Sequence, residues 1–293
     1  MSSPAPALAL PPGSCDCHAH VLGPYARFPL AAQRAYSPPE APLESYLRML
    51  AGSGLARGVL VHPSAYGLDC SALRAALRAN PERLRGVAVI DATVSDEDLD
   101  QMHGEGVRAA RFTETSSTAG QRFPGSVGLD QLPLLAPRLR RRGWHAQLWA
   151  PASRLAAELP ALLRLELPLV IDHLGSPATR RGPLDPAFQA LRVALRSGQV
   201  WIKLTVQRAS SDFPHYADVR ALFDALLAER TDRLLWGSDW PFLNMAECTP
   251  TVPQLLGTFF SWVSDAATRQ AILADNPRAL FGFGPPIIEA SAS

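Results

Sequence analysis

Residues 168–206 read PLVIDHLGSPATRRGPLDPAFQALRVALRSGQVWIKLTV. Two short apolar runs, Leu169–His173 and Val200–Val206, flank a stretch with helical spacing, Pro186–Ser197. The runs LVI and WIKL are rich in β-branched residues and nearly continuous, as in strands buried on both faces. Strand, helix and strand in this order predict a parallel βαβ unit with a right-handed crossover. The alternation continues outward in both directions. Further strands are predicted at Ser14–Val21, Gly58–His62, Leu84–Asp91, Val107–Phe112, Trp144–Trp149 and Leu234–Ser238. Helices are predicted at Leu43–Ala51, Cys70–Ala79 (capped by Asp69), Asp96–His103 (capped by Ser95), Leu132–Arg142, Ser153–Leu165, His215–Glu229 and Val252–Val263. Asp265–Ala274 and Asn276–Leu280 close the fold. Eight such units in 293 residues favour a single closed (β/α)8 TIM barrel. An open doubly wound sheet is disfavoured because no Gly-rich nucleotide loop follows any strand. The barrel is placed at residues 14–283, between a flexible Pro/Ala-rich tail (1–13) and a C-terminal tail (284–293).

The composition sets the class. With 28 basic and 27 acidic residues the formal charge is +1, so there is no basic excess to grip nucleic acid. Charged residues make up 19% and hydrophobic ones 47%, a globular rather than a disordered balance. No apolar run is long enough to cross a membrane, and the N-terminus lacks the features of a signal peptide. Cysteines at 15, 17, 70 and 248 form no disulfide framework, which fits a reducing cytoplasm. Lys203 is the only lysine in the chain, so any lysine chemistry uses it, and other cations in a pocket are arginine forks suited to carboxylates.

In a (β/α)8 barrel the active site lies at the C-terminal ends of the strands. Strand 1 ends in Asp16-Cys17-His18-Ala19-His20. Two-residue periodicity predicts Asp16, His18 and His20 on one face, with Cys15 and Cys17 toward the helices. Strand 6 ends in Asp172-His173-Leu174-Gly175 and strand 8 in Gly237-Ser238-Asp239-Trp240-Pro241. His173 alone reads as structural and Asp239 alone as a turn cap. Three histidines and an aspartate meeting at one rim point to chemistry. Asp239 is placed to act as a base for water, and histidines can donate to an oxyanion. Arg111 and Arg208 can hold carboxylates, although an arginine such as Arg111 could equally pair with a nearby acid such as Glu114. Trp149, Trp201 and Trp236 read mostly as core.

These motifs, with the ending NPRALFGF, resemble the amidohydrolase superfamily in its amidohydrolase-related (type 2) branch, and within it the 2-pyrone-4,6-dicarboxylate lactonases. The resemblance spans roughly residues 14–283. It implies that His18, His20 and His173 surround a lactone carbonyl and that Asp239 activates water. It also implies substrate contacts from Tyr36, Ser64, Arg111 and Arg208, with Arg122 as a further arginine. The substrate would be a small anionic lactone, with pyrone dicarboxylate as lead, and nothing fixes the oligomeric state.

A lysine-bridged dinuclear metal centre is not expected. The bridging lysine of dinuclear relatives follows strand 4, where this chain has Arg111-Phe112-Thr113-Glu114, and His145 lies at the start of strand 5, too deep for the rim. The remaining set of His18, His20, His173 and Asp239 suits one zinc or none. The lactonases it resembles work without metal, and no cofactor is the favoured reading. The alternatives are a mononuclear zinc hydrolase of sugar lactones, a decarboxylase of aromatic acids and, more remotely, a non-catalytic metabolite-binding barrel.

Overall fold

Parallel strands follow one another around a single sheet in chain order: β1 (Cys15–Ala19), β2 (Arg57–Val61), β3 (Leu84–Ala88), β4 (Val107–Thr113), β5 (His145–Trp149), β6 (Leu169–Ile171), β7 (Val200–Lys203) and β8 (Leu234–Leu235). The structure is a computed structural model that describes residues 8–114, 122–245 and 249–285; Cys248 lies outside them. Backbone hydrogen bonds from Cys17 N to Trp236 O (3.0 Å), Asp239 N to His18 O (2.7 Å) and His20 N to Trp240 O (2.8 Å) join the segment after the last strand to the first strand. The chain folds as the predicted TIM barrel.

Helices wrap the sheet. They are α1 (Leu43–Gly52), α2 (Ser71–Ala79), α3 (Asp96–Gly104), α4 (Leu132–Arg141), α5 (Ala152–Leu162), α6 (Pro186–Arg196), α7 (Val206–Ala209), α8 (Ala217–Glu229), α9 (Val252–Trp262), α10 (Ala266–Gln270) and α11 (Asn276–Phe281). Ser95 caps α3 by accepting from Asp98 N at 3.0 Å, as its sequence predicts. The predicted strands run past the observed ends, chiefly in β3, β7 and β8, where the chain leaves the ladder to form the rim. No helix among the described residues is long and apolar enough to cross a membrane.

Alternation along each strand divides the side chains. Leu60, Ala110, Leu148, Ile171 and Ile202 belong to the apolar layer shared with the helices. Val59, Val61, Val87, Ala109, Val170, Trp201 and Leu235 pack together inside the barrel with Phe281 of α11. Cys15 and Cys17 belong to this inner cluster, not to the helical side as two-residue periodicity predicted. The reason is a register shift in β1. Asp16 pairs with Gly58 and Ala19 with Leu60, so three residues on β1 face two on β2. Such a bulge inserts one residue and re-aims the side chains beyond it. Asp16 therefore turns outward to Tyr46 of α1, while His18 turns inward.

Asp16 is fully buried and ties three elements together. It accepts from Ser238 N (2.8 Å), Ser238 Oγ (2.6 Å), His18 N (3.2 Å) and Tyr46 OH (3.3 Å). Tyr46 reaches it because Gly58 has no side chain; a Cβ there would lie 2.2 Å from the phenol oxygen. Gly237 allows a similar close approach on the other side, since a Cβ would meet His18 Cβ at 2.8 Å and hold the segment after β8 away from β1. Replacing Asp16 by Asn puts an NH2 group among donors that need acceptors. Asp16→Asn is expected to cost about 2–4 kcal/mol of unfolding free energy, read from urea denaturation; a change below about 0.5 kcal/mol would show that Asp16 does not hold these elements together.

Candidate active site

Above the apolar plug the barrel carries a polar layer. Lys203 ends β7 and is fully buried. Its Nζ lies 2.6 Å from Gln147 Oε1 and 3.0 Å from His18 Nδ1. It also forms an ion pair with Asp172 Oδ1 at 3.2 Å, angled off the hydrogen-bond direction. The other Asp172 oxygen accepts Arg111 Nε (3.1 Å) and Nη2 (3.0 Å). Burial alone would raise the Asp172 pKa, but Lys203, His18 and Arg111 outweigh it and hold the carboxyl well below its usual range.

The rim residues stand on this layer. His18 and His173 rings lie 4.9 Å apart, and His18 and His20 rings 5.2 Å apart. Burial keeps both His18 and His173 uncharged at neutral pH, lowering His173 to about 4. His173 Nδ1 shares a 2.6 Å hydrogen bond with Thr205 Oγ1. His20 donates its Nδ1–H to Val61 O at 2.7 Å, since a carbonyl can only accept. Asp239 adopts the left-handed conformation (φ 57°), a strained choice for a non-glycine residue and one that clusters at functional sites. Its Oδ1 lies 3.5 Å from both His18 Nε2 and His20 Nε2. Its Oδ2 accepts Arg208 Nε at 2.7 Å and a second, shorter bond from Arg208 Nη2. Burial opposes ionisation of Asp239, yet the Arg208 guanidinium beside it holds the carboxyl well below the usual carboxylate range.

These groups border a cavity of about 570 Å3. Of the sequence-predicted residues, His20, Tyr36, Ser64, Arg111, His173, Arg208 and Asp239 line it. His18 lies just beneath, fully buried. Burial pushes the Tyr36 phenol up, with Ser64 and Arg111 beside it opposing the rise. Arg122 is not in the lining; it pairs with Glu114 (3.3 Å) and Asp130 (3.1 Å), and its neighbour Phe123 borders the cavity instead. The stretch 115–121 lies outside the described residues. Arg111 does pair with an acid, but the acid is Asp172 rather than Glu114.

Sequence reasoning missed four participants. Lys203, Gln147 and Asp172 form the supporting layer, and their signal was a polar residue at an inward strand position. Trp149 was read as core, yet it lines the cavity, lies 5.0 Å beneath the Arg111 guanidinium and meets His173 edge-on at 5.4 Å. A more open groove of about 490 Å3 lies beside α2 and α3, where Arg74 and Arg78 are already paired with Glu105.

Metal binding can be tested on the donor set. Ligand atoms of His18, His173 and Asp239 lie within 4.8 Å of one another, so a cluster of the right composition exists. Its surroundings carry positive charge of their own. Three cations, Lys203, Arg111 and Arg208, face two carboxylates, Asp172 and Asp239, so the layer carries +1 with His18 and His173 neutral. A divalent ion would raise this buried charge further, and Arg208 already occupies one Asp239 oxygen.

The amidohydrolase family profile matches residues 15–283. The chain belongs to the amidohydrolase family. Among its amidohydrolase relatives, the 4-sulfomuconolactone hydrolase of Rhizobium radiobacter is 34% identical over 277 residues, covering 94% of this chain and 91% of that protein. The 2-pyrone-4,6-dicarboxylate hydrolase of Comamonas testosteroni is 31% identical over 286 residues, covering 94% and 92%. A solved Acinetobacter baumannii protein, described as a probable 2-pyrone-4,6-dicarboxylic acid hydrolase with citric acid bound, is 28% identical. It superimposes with a TM-score of 0.80 over 92% of this chain and 100% of that one.

Asp172 is the anion on which the layer depends. A carboxyl depressed in the folded state contributes its stability above the unfolded pKa and loses it as pH falls. Asp172→Asn is therefore expected to cost about 3–5 kcal/mol near neutral pH. The deficit should shrink below the ordinary aspartate value of 3.8. Urea unfolding at about pH 7 and about pH 3 measures both; a deficit that grows toward acid would contradict the assignment.

Proposed function

We propose that this chain hydrolyses a small lactone bearing carboxylates, with 2-pyrone-4,6-dicarboxylate as lead substrate. The observation that carries the reading is the split environment of Asp239. One oxygen is held by Arg208, while the other faces two histidine nitrogens at the floor of a cavity that also presents Arg111. The names of the relatives support a lactone as the reacting group.

The chemistry follows from the donors and acceptors. Asp239 Oδ1, the oxygen not held by Arg208, is an acceptor suited to take a hydrogen from water. The water oxygen attacks the lactone carbonyl carbon and its proton passes to Asp239. The carbonyl oxygen gains the electron pair and is stabilised by N–H donors from His18 or His173. The intermediate collapses, the ring C–O bond breaks and the leaving oxygen takes the proton from Asp239, which returns to its carboxylate. The new carboxylic acid ionises, so one proton is released per turnover and alkaline pH favours opening. Arg111 and Arg208 hold the substrate's carboxylates and fix the carbonyl over the base. Trp149, Phe123 and Tyr36 form apolar walls suited to a flat ring. No step in this sequence requires a metal.

Asp239→Asn keeps the shape and removes the base. Turnover of pyrone dicarboxylate is expected to fall by about 10²–10⁴-fold, with the far-UV spectrum unchanged; near-normal turnover would reject Asp239 as the base.

Arg208 makes a separate prediction. It is among the groups that hold Asp239 low, so removing it lets burial push the carboxyl upward. A base must be deprotonated to act. The acid limb of the pH profile of kcat/KM should therefore move to higher pH in Arg208→Gln. An unmoved limb would show that Arg208 does not tune the base.

A further inference from the structure

Lys203 lies one layer below the cavity and touches no substrate position, yet it contacts a histidine at the reaction centre. Its ammonium has three hydrogens and no lone pair. Its neighbours are acceptors: Gln147 Oε1 at 2.6 Å, His18 Nδ1 at 3.0 Å and Asp172 Oδ1 at 3.2 Å. Asp172 supplies the countercharge that lets an ammonium persist without water.

His18 has two neutral tautomers. With the proton on Nδ1, an N–H would point at the ammonium 3.0 Å away, donor against donor. Its alternative acceptor, Asp172 Oδ1, is farther, at 3.4 Å, and already faces Lys203. With the proton on Nε2, Nδ1 accepts from Lys203, and Nε2–H points up toward Asp239 and the cavity. His18 Nε2 is buried and has no hydrogen-bond partner among the described residues. His20 differs in that its Nδ1–H is committed to Val61 O.

We infer that Lys203 is a positioning residue that fixes His18 as its Nε2–H tautomer, so that this histidine presents a proton, and not a lone pair, to the reaction centre. Resting on the lactonase reading, this makes His18 the donor to the carbonyl oxygen as negative charge develops there. It also gives a direct reason why His18 Nε2 is unsuited to hold a cation while Lys203 is in place.

The test begins with resting wild-type protein, labelled with 15N-histidine and free of substrate. Long-range 1H–15N spectra, assigned by the loss of one set of signals in His18→Gln, identify the protonated nitrogen. A protonated Nε2 and an unprotonated Nδ1 on His18 are expected; the reverse overturns the inference, whatever the substrate proves to be. The second measurement is a double-mutant cycle on pyrone dicarboxylate. Lys203→Met should lower kcat by about 10²–10³-fold, the usual cost of an oxyanion donor. In a His18→Gln background the same change should cost less than about threefold, because Lys203 acts through His18. Equal losses in both backgrounds would make Lys203 merely structural. Wild-type protein with the expected tautomer but no lactone turnover would reject the lactonase reading and leave the tautomer assignment standing.

Discussion

An ammonium buried at the axis of a barrel needs an anion and acceptors within reach, because stripping its water costs several kcal/mol. Lys203 meets that requirement with Asp172, Gln147 and His18, and the rest of the site is built around the solution. Asp172 is shared between Lys203 on β7 and Arg111 on β4, so the guanidinium at the cavity wall is held from below. His18 is held from the same side. Arg111 and His18 are thus held by charges one layer below the cavity, an arrangement that limits reorganisation at its floor.

The barrel itself was legible because its signal is local. Nearly continuous β-branched runs, spaced by helical patterns, identify strands buried on both faces wherever they occur. Strand ends were less legible. β8 forms only Leu234–Leu235, and the following Trp236–Trp240 segment joins β1 by separate hydrogen bonds rather than continuing a strand. Nothing in the residues 234–240 alone distinguishes these outcomes.

The rim was also legible, since His18, His20, His173 and Asp239 sit at strand ends. Beyond reach lay every feature set by pairing across strands. The β1 bulge is a matter of register with β2, so simple alternation placed Cys15, Cys17 and Asp16 on the wrong sides. The partner of Arg111 is 61 residues away, and a search of near neighbours finds Glu114 instead of Asp172. Lys203 was conspicuous as the only lysine, but its function follows from contacts with β1, β5 and the residue after β6. Trp149 resembles any core tryptophan until its position above the polar layer is known.

Under the proposed function, charges of the protein itself, rather than a bound cation, organise this site. The decisive test is the rate of ring opening of 2-pyrone-4,6-dicarboxylate by protein stripped with a chelator and checked for residual metal by elemental analysis. Turnover equal to that of untreated protein, and unchanged by added zinc, is the predicted result. Turnover lost on stripping and restored by stoichiometric zinc would contradict it.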